Sequence, residues 1–131
     1  MYSIMESTCK DFTILIVDDD ADLCSLLCAS LKKYFIHTEH DLSSAGSYIS
    51  HHKISLLILD NSLPDGKGVD FIKKVLSQDP AIKIVMMTAD QSPELREKAI
   101  REGASVYIPK PFKPAVIKSI AENIFAGLPA A

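Results

Sequence analysis

The chain has 131 residues, 47% of them apolar, and a formal net charge of −3. That length suits one domain with an ordinary core, and the acidic balance argues against binding nucleic acid through a broad basic face. No apolar run is long enough to span a bilayer, and the opening MYSIMESTCKDF lacks the charged start and apolar stretch of a signal peptide, so a cytoplasmic protein with no membrane partner is expected.

Residues 1–11 look like a loose leader. FTILIV (12–17) is almost wholly apolar, as a strand covered on both faces should be. Residues 21–35 place Leu23, Leu26, Leu27, Ser30, Leu31 and Tyr34 at helical spacing. Within that stripe Cys24 and Cys28 lie one turn apart. With three cysteines and no CxxC pair, they read as buried thiols rather than a redox or metal pair. IHTEH (36–40) is short and polar, an edge strand. SSAGSYISHH (43–52) is a weaker helix, and SLLIL (55–59) a central strand. GVDFIKKVLSQD (68–79) is an amphipathic helix ended by Pro80, and IKIVMM (82–87) is a central strand. SPELREKAIREG (92–103) is a helix with Ser92 as cap, Pro93 in its first position and Gly103 at its end. SVYIP (105–109) is a strand whose Pro109 calls for an edge. KPAVIKSIAENIFAG (113–127) is the last helix, with Gly127 as its stop; residues 127–131 form a tail or the start of a linker.

A strand–helix unit repeated five times implies an α/β fold: a doubly wound, five-stranded parallel sheet with helices on both faces. The short polar strand and the proline-ended strand suit the two edges, which gives the flavodoxin-like order 2-1-3-4-5. Ligands in such sheets bind at the carboxyl ends of the strands. There the first strand delivers Asp18, Asp19 and Asp20, the third Asp60, the fourth Thr88 and the fifth Lys110. Acids crowded into one crevice repel and raise each other's pKa. A divalent cation relieves that, and hard carboxylate oxygens suit Mg2+. Lys110 adds a cation for a carboxylate or a phosphoryl oxygen, and Thr88 adds a hydroxyl donor. Asp60 is the natural nucleophile, since a carboxylate forms an aspartyl phosphate. The set fits phosphoryl transfer.

The pieces ILIVDDD, LLILDNSLPDGKG, VMMTAD and GASVYIPKPF occur in that order. Together they resemble the response-regulator receiver domains of two-component signalling, over residues 12–126. The resemblance implies roles. Asp18 and Asp19 match the acidic pair that holds Mg2+, with the backbone carbonyl of Ser62 as a further ligand. Asp60 matches the phosphoacceptor, which itself contacts the metal. Thr88 matches the hydroxyl that turns toward the phosphoryl group, and Lys110 the lysine that pairs with it. The Lys110–Pro111 bond matches one that is cis in the family. Tyr107 matches the aromatic switch residue.

The resemblance further implies a donor, a phosphohistidine on a sensor histidine kinase or a histidine phosphotransfer protein. It implies an output surface made by the fourth helix, fifth strand and fifth helix, available to a homodimer or an effector. On the fourth helix that surface would include Glu94, Arg96, Glu97, Lys98, Arg101 and Glu102. The chain would act only on its own Asp60 and so not be an enzyme in the usual sense. Asn61, Ser62, Asp90 and Pro109 depart from the commonest pattern; side chains at Ser62 and Asp90 flank the phosphoryl group in the family and tune its lifetime.

Rival readings have less support. A haloacid-dehalogenase-like phosphatase needs Asp-x-Asp and then Thr or Val, and Asp22 stands in that last slot. A flavin-binding module needs a phosphate loop after the first strand, where this chain has three acids. A receiver-like module used only for protein contacts would not need the intact acid pair, Asp60, Thr88 and Lys110. Asp20 and Asp22 suit a helix N-terminus. His37, His40, His51 and His52 read as surface histidines, with no acid or cysteine joining them at ligand spacing.

Overall fold

A computed structural model describes residues 12–128. The proposed leader, and the tail beyond residue 128, lie outside those residues. Five strands form the main sheet: β1 (Thr13–Val17), β2 (Phe35–Glu39), β3 (Leu56–Asp60), β4 (Lys83–Thr88) and β5 (Val106–Pro109). The helices are α1 (Ala21–Ser30), α2 (Leu42–His51), α3 (Gly68–Gln78), α4 (Pro93–Glu102) and α5 (Pro114–Ala126). All strand pairs in this sheet are parallel, in the order β2-β1-β3-β4-β5. This is the doubly wound order expected from the alternation.

Alternation along each strand sorts its side chains to two faces. Leu15 and Val17 of β1 face Ala45 and Ile49 of α2, Ile72 and Val75 of α3 and Ala99 of α4. Ile14 and Ile16 face Leu27 of α1 and Ile117, Ala121 and Phe125 of α5. All five residues of β3 are buried, because the strand lies between β1 and β4 and under helices on both sides. Asp60 is therefore the last residue of the best-covered strand among the described residues.

The edges are as the sequence suggests. Pro109 stands opposite Thr88 on the last strand, where its missing N–H interrupts no further ladder. The first helix is shorter than its apolar stripe implies. It ends at Ser30 with Leu31 as C-cap, and Tyr34 N–H bonds back to Leu31 C=O at 3.0 Å. The chain has to turn there because β2 pairs with β1 from Phe35 onward, opposite Thr13. Tyr34 stays buried by turning its ring edge-on to Phe125, with centroids 4.8 Å apart. No helix among the described residues is long and apolar enough to cross a membrane.

Candidate functional site

The carboxyl end of β1 delivers Asp18 into a fully buried position. Its Oδ1 accepts from Asp20 N–H at 2.9 Å, and its Oδ2 accepts from Lys110 Nζ at 2.8 Å. Its backbone is held as well. The amide donates to Glu39 C=O at 3.1 Å, and the carbonyl accepts from His40 Nδ1 at 2.9 Å and from the Cys24 thiol at 3.5 Å. A carbonyl only accepts, so His40 carries its proton on Nδ1. Asp19 is exposed beside it. Asp20 caps α1, taking the N–H groups of Asp22 and Leu23 at 3.0 and 3.1 Å, and Asp22 sits in the first turn. Both acids thus serve the helix start, where negative charge is favourable.

Asp60 is 5% exposed and pairs across the sheet with Met87. Lys110 Nζ lies 3.2 Å from its Oδ1. Burial and the Asp18 charge push the Asp60 carboxyl above its ordinary value, and Lys110 only partly counters them. Burial alone would lower Lys110, but its bonds to Asp18 and Asp60 outweigh that and raise it. Carboxylate oxygens of Asp18, Asp19 and Asp60 all lie within 4.8 Å of one another. Three hard oxygen donors sharing one ammonium remain net negative. That donor set fits a small divalent cation.

Two residues next to Asp60 hold its backbone, and sequence reasoning does not reach either role. Asn61 is buried, and its side-chain oxygen accepts from Val69 N–H at 3.0 Å. Its own N–H donates to Met87 C=O at 3.0 Å, and its C=O accepts from Gly68 N–H at 2.8 Å. Gly68 has no room for a side chain, since a Cβ there would lie 2.2 Å from the Asp60 carbonyl oxygen. Between them, Ser62–Leu63 and Gly66–Lys67 form a short antiparallel hairpin.

Thr88, at the end of β4, is buried, and its Oγ1 accepts from Asp90 N–H at 3.0 Å. The Asp90 carbonyl in turn accepts from the Tyr107 hydroxyl. Tyr107 is half-buried against the α3–α4 side of the core, and burial together with the Asp90 charge pushes its hydroxyl pKa up. The Asp90 carboxylate takes the Ser92 N–H at 2.8 Å, which holds it below its ordinary value. The Lys110–Pro111 peptide is cis. Asp18, Asp19, Asp60 and Lys110 therefore converge, while Thr88 and Tyr107 are linked through the backbone of Asp90.

Elsewhere the sequence expectations need adjustment. Cys24 is buried and its thiol pushed up to about 11, chiefly by burial, while Cys28 is only half-buried. The histidines are not all plain surface groups. His37 pairs with Glu39 at 2.6 Å and stacks on Tyr48, which stacks on His52, at 3.9 and 4.0 Å between centroids. Positions 37 and 39 share one face of β2, which brings Glu39 to His37 as an ion pair, whereas the metal-spaced group among the described residues is Asp18, Asp19 and Asp60, with no histidine. On α4, Lys98 bonds Asp70 at 2.8 Å and Glu102 lies 3.6 Å from Lys73, so both pair with α3, Glu102 largely covered and Lys98 still partly exposed.

The sequence matches the response regulator receiver domain family over residues 14–122. It is 36% identical over 119 residues to the phosphate regulon transcriptional regulatory protein PhoB of Escherichia coli, covering 85% of this chain and 52% of that one. The chain spans between about a quarter and about half of the length of the curated regulators it matches. Among solved structures, a two-component response regulator from Clostridium difficile superposes with a TM-score of 0.85 at 27% identity, over 88% of this chain and 97% of that one. The beryllofluoride-activated NtrC4 receiver domain dimer gives 0.83 at 29% identity, over 87% and 96%. With its five-stranded parallel sheet and its acids at the carboxyl edge, the chain belongs to the response regulator receiver domains of two-component systems.

Proposed function

We propose that this chain is a working phosphoacceptor, with residues 12–126 as the receiver domain and residues 127–131 as a tail or linker. The donor is a phosphohistidine on a sensor histidine kinase or a phosphotransfer protein in the cytoplasm. The observation that carries this reading is Asp60: a buried carboxylate, raised in pKa, at the end of the central strand, with Asp18 and Asp19 oxygens within 4.8 Å and Lys110 at 3.2 Å.

In the proposed step an Asp60 oxygen attacks the donor's phosphorus. The P–O bond forms, the P–N bond breaks, and the electron pair leaves with the imidazole. Asp18, Asp19, Asp60 and the Ser62 carbonyl would hold Mg2+, which when bound neutralises charge on the phosphoryl oxygens. Lys110 follows the new charge from its carboxylate partners to a phosphoryl oxygen. Thr88 gives up the Asp90 amide and turns its hydroxyl toward the phosphoryl group. Tyr107, joined to Asp90 by its hydroxyl, carries that change toward α4, β5 and α5. Phosphorylation thus biases a two-state equilibrium of that face, and Glu94, Arg96, Glu97 and Arg101 are its open charges. The NtrC4 receiver described as a dimer supports a homodimer for this chain, and the α4-β5-α5 face is the one we assign to it. Hydrolysis of the acyl phosphate resets the chain, whose only substrate is itself.

The test is intact mass after incubation with Mg2+ and acetyl phosphate, beside Asp60→Asn. One added phosphoryl group on the wild type and none on the variant is the expected result. No addition from acetyl phosphate or from a phosphorylated phosphotransfer protein, with no Mg2+ binding, would leave a module used only for protein contacts.

A further inference from the structure

The loop that carries the Ser62 carbonyl is anchored twice. Its neck is closed by Asn61, through the bonds to Met87, Gly68 and Val69. Its tip is anchored by Asp65, which reaches another element. Asp65 Oδ1 accepts from Leu42 N–H at 2.8 Å and Oδ2 from Ser43 N–H at 2.9 Å, both at the start of α2. The two bonds hold the Asp65 carboxyl below its ordinary value. The neighbouring residue is close as well: Gly66 has φ of +153°, and a Cβ there would lie 3.2 Å from Leu42 Cδ1.

Helix α2 does not lack a cap of its own. Asp41 is its N-cap and takes the Ser44 N–H at 2.7 Å. Asp65 adds two bonds from a carboxylate 23 residues downstream of Leu42. Their geometric effect falls as much on the loop as on the helix. The loop needs it: the hairpin pairs only Ser62 with Lys67 and Leu63 with Gly66, and so short a ladder is marginal alone. A backbone carbonyl has no rotamer of its own, so its aim is set by whatever holds the chain on either side.

We infer that Asp65 is a positioning residue for the cation site. By pinning the loop tip to α2 it fixes the direction of the Ser62 carbonyl and couples the site to α2. The inference rests on the proposed Mg2+ site. Removing groups that orient metal ligands weakens binding by about tenfold or more.

The experiment is calorimetric Mg2+ titration of the unphosphorylated protein, with Asp65→Ala and Asp65→Asn, alongside thermal melts and amide hydrogen exchange at Leu42 and Ser43. Asp65→Ala is expected to weaken Mg2+ binding about tenfold. Asp65→Asn, which keeps one accepting oxygen, should fall between it and wild type. Mg2+ should slow exchange at Leu42 and Ser43 in the wild type and not in Asp65→Ala. Wild-type Mg2+ affinity in Asp65→Ala, with only a lowered Tm, would overturn the inference and leave Asp65 a helix cap. A wild type that binds no Mg2+ would overturn the cation site itself and the inference with it.

Discussion

Beyond its own short hairpin, the loop after β3 sends its hydrogen bonds outward to β4, α3 and α2; in the loop after β4 they run mostly back onto the loop. Asn61 bonds Met87, Gly68 and Val69, and Asp65 bonds Leu42 and Ser43. Asp90 N–H bonds Thr88 Oγ1, Ser92 N–H bonds Asp90 Oδ1, and the reach outward is the Tyr107 hydroxyl on Asp90 C=O. The contrast matches the two tasks proposed for the loops. A nucleophile gains from being held still, because misplacing it costs rate. A responding hydroxyl has to move, so it belongs among groups whose bonds break locally without unfolding the domain.

The firmest way to break the contrast is Gly68→Ala. The added Cβ would have to push α3 away from the Asp60 carbonyl, with Leu59 Cγ also at 3.1 Å. Backbone does not yield as a flexible side chain does, so a loss of about 3 kcal/mol is expected, read by thermal or urea denaturation, with slower phosphoryl acceptance. Asn61→Ala comes next. It leaves the buried Val69 N–H without its acceptor, which costs about 1–3 kcal/mol. Loss of stability with unchanged acceptance would show that the neck bond serves only the fold.

Asp60→Asn sharpens the contrast from the electrostatic side. The folded carboxyl lies above its ordinary value because of burial and Asp18, so the folded chain takes up a proton before the unfolded chain does. A charged Asp60 therefore costs stability at neutral pH, and that cost fades as pH falls through the folded pKa and is gone below the unfolded one. In metal-free protein, Asp60→Asn is expected to raise Tm by a few degrees at neutral pH, and the gain should narrow on acidification. A gain that stays constant with pH would mean that Lys110 already offsets the buried charge.

The sheet and its polar edge are legible in the sequence because both are written in short-range terms. Apolar runs mark the strands, and Asp18, Asp60, Thr88 and Lys110 each follow one directly, with Asp19 one position further on. The rest is set by distance through space. Asp65 finds Leu42 across the fold, and the demand for glycine at position 68 comes from the carbonyl of a residue eight positions earlier. Nothing local ends α1 at Ser30, since no glycine or proline follows it; the register of β2 on β1 ends it. The His37–Glu39 pair needed only the two-residue period of a strand, and was open to inference once residues 36–40 were taken as one.

Tyr107→Phe is the smallest change and tests the weaker side of the contrast alone. It deletes one hydroxyl and leaves the ring packed against the α3–α4 core. The Asp90 carbonyl is exposed enough for water to replace the lost donor, so the expected cost is about 0.5 kcal/mol, at the low end for a hydrogen bond. Exchange at the amides of Asp90 and Ser92 should quicken, because the loop loses its outward bond. Exchange at Val69 should not change, because that amide is bonded within the β3–α3 neck. If both sets quicken together, the two loops open as one unit, and the division between a fixed nucleophile and a movable hydroxyl fails.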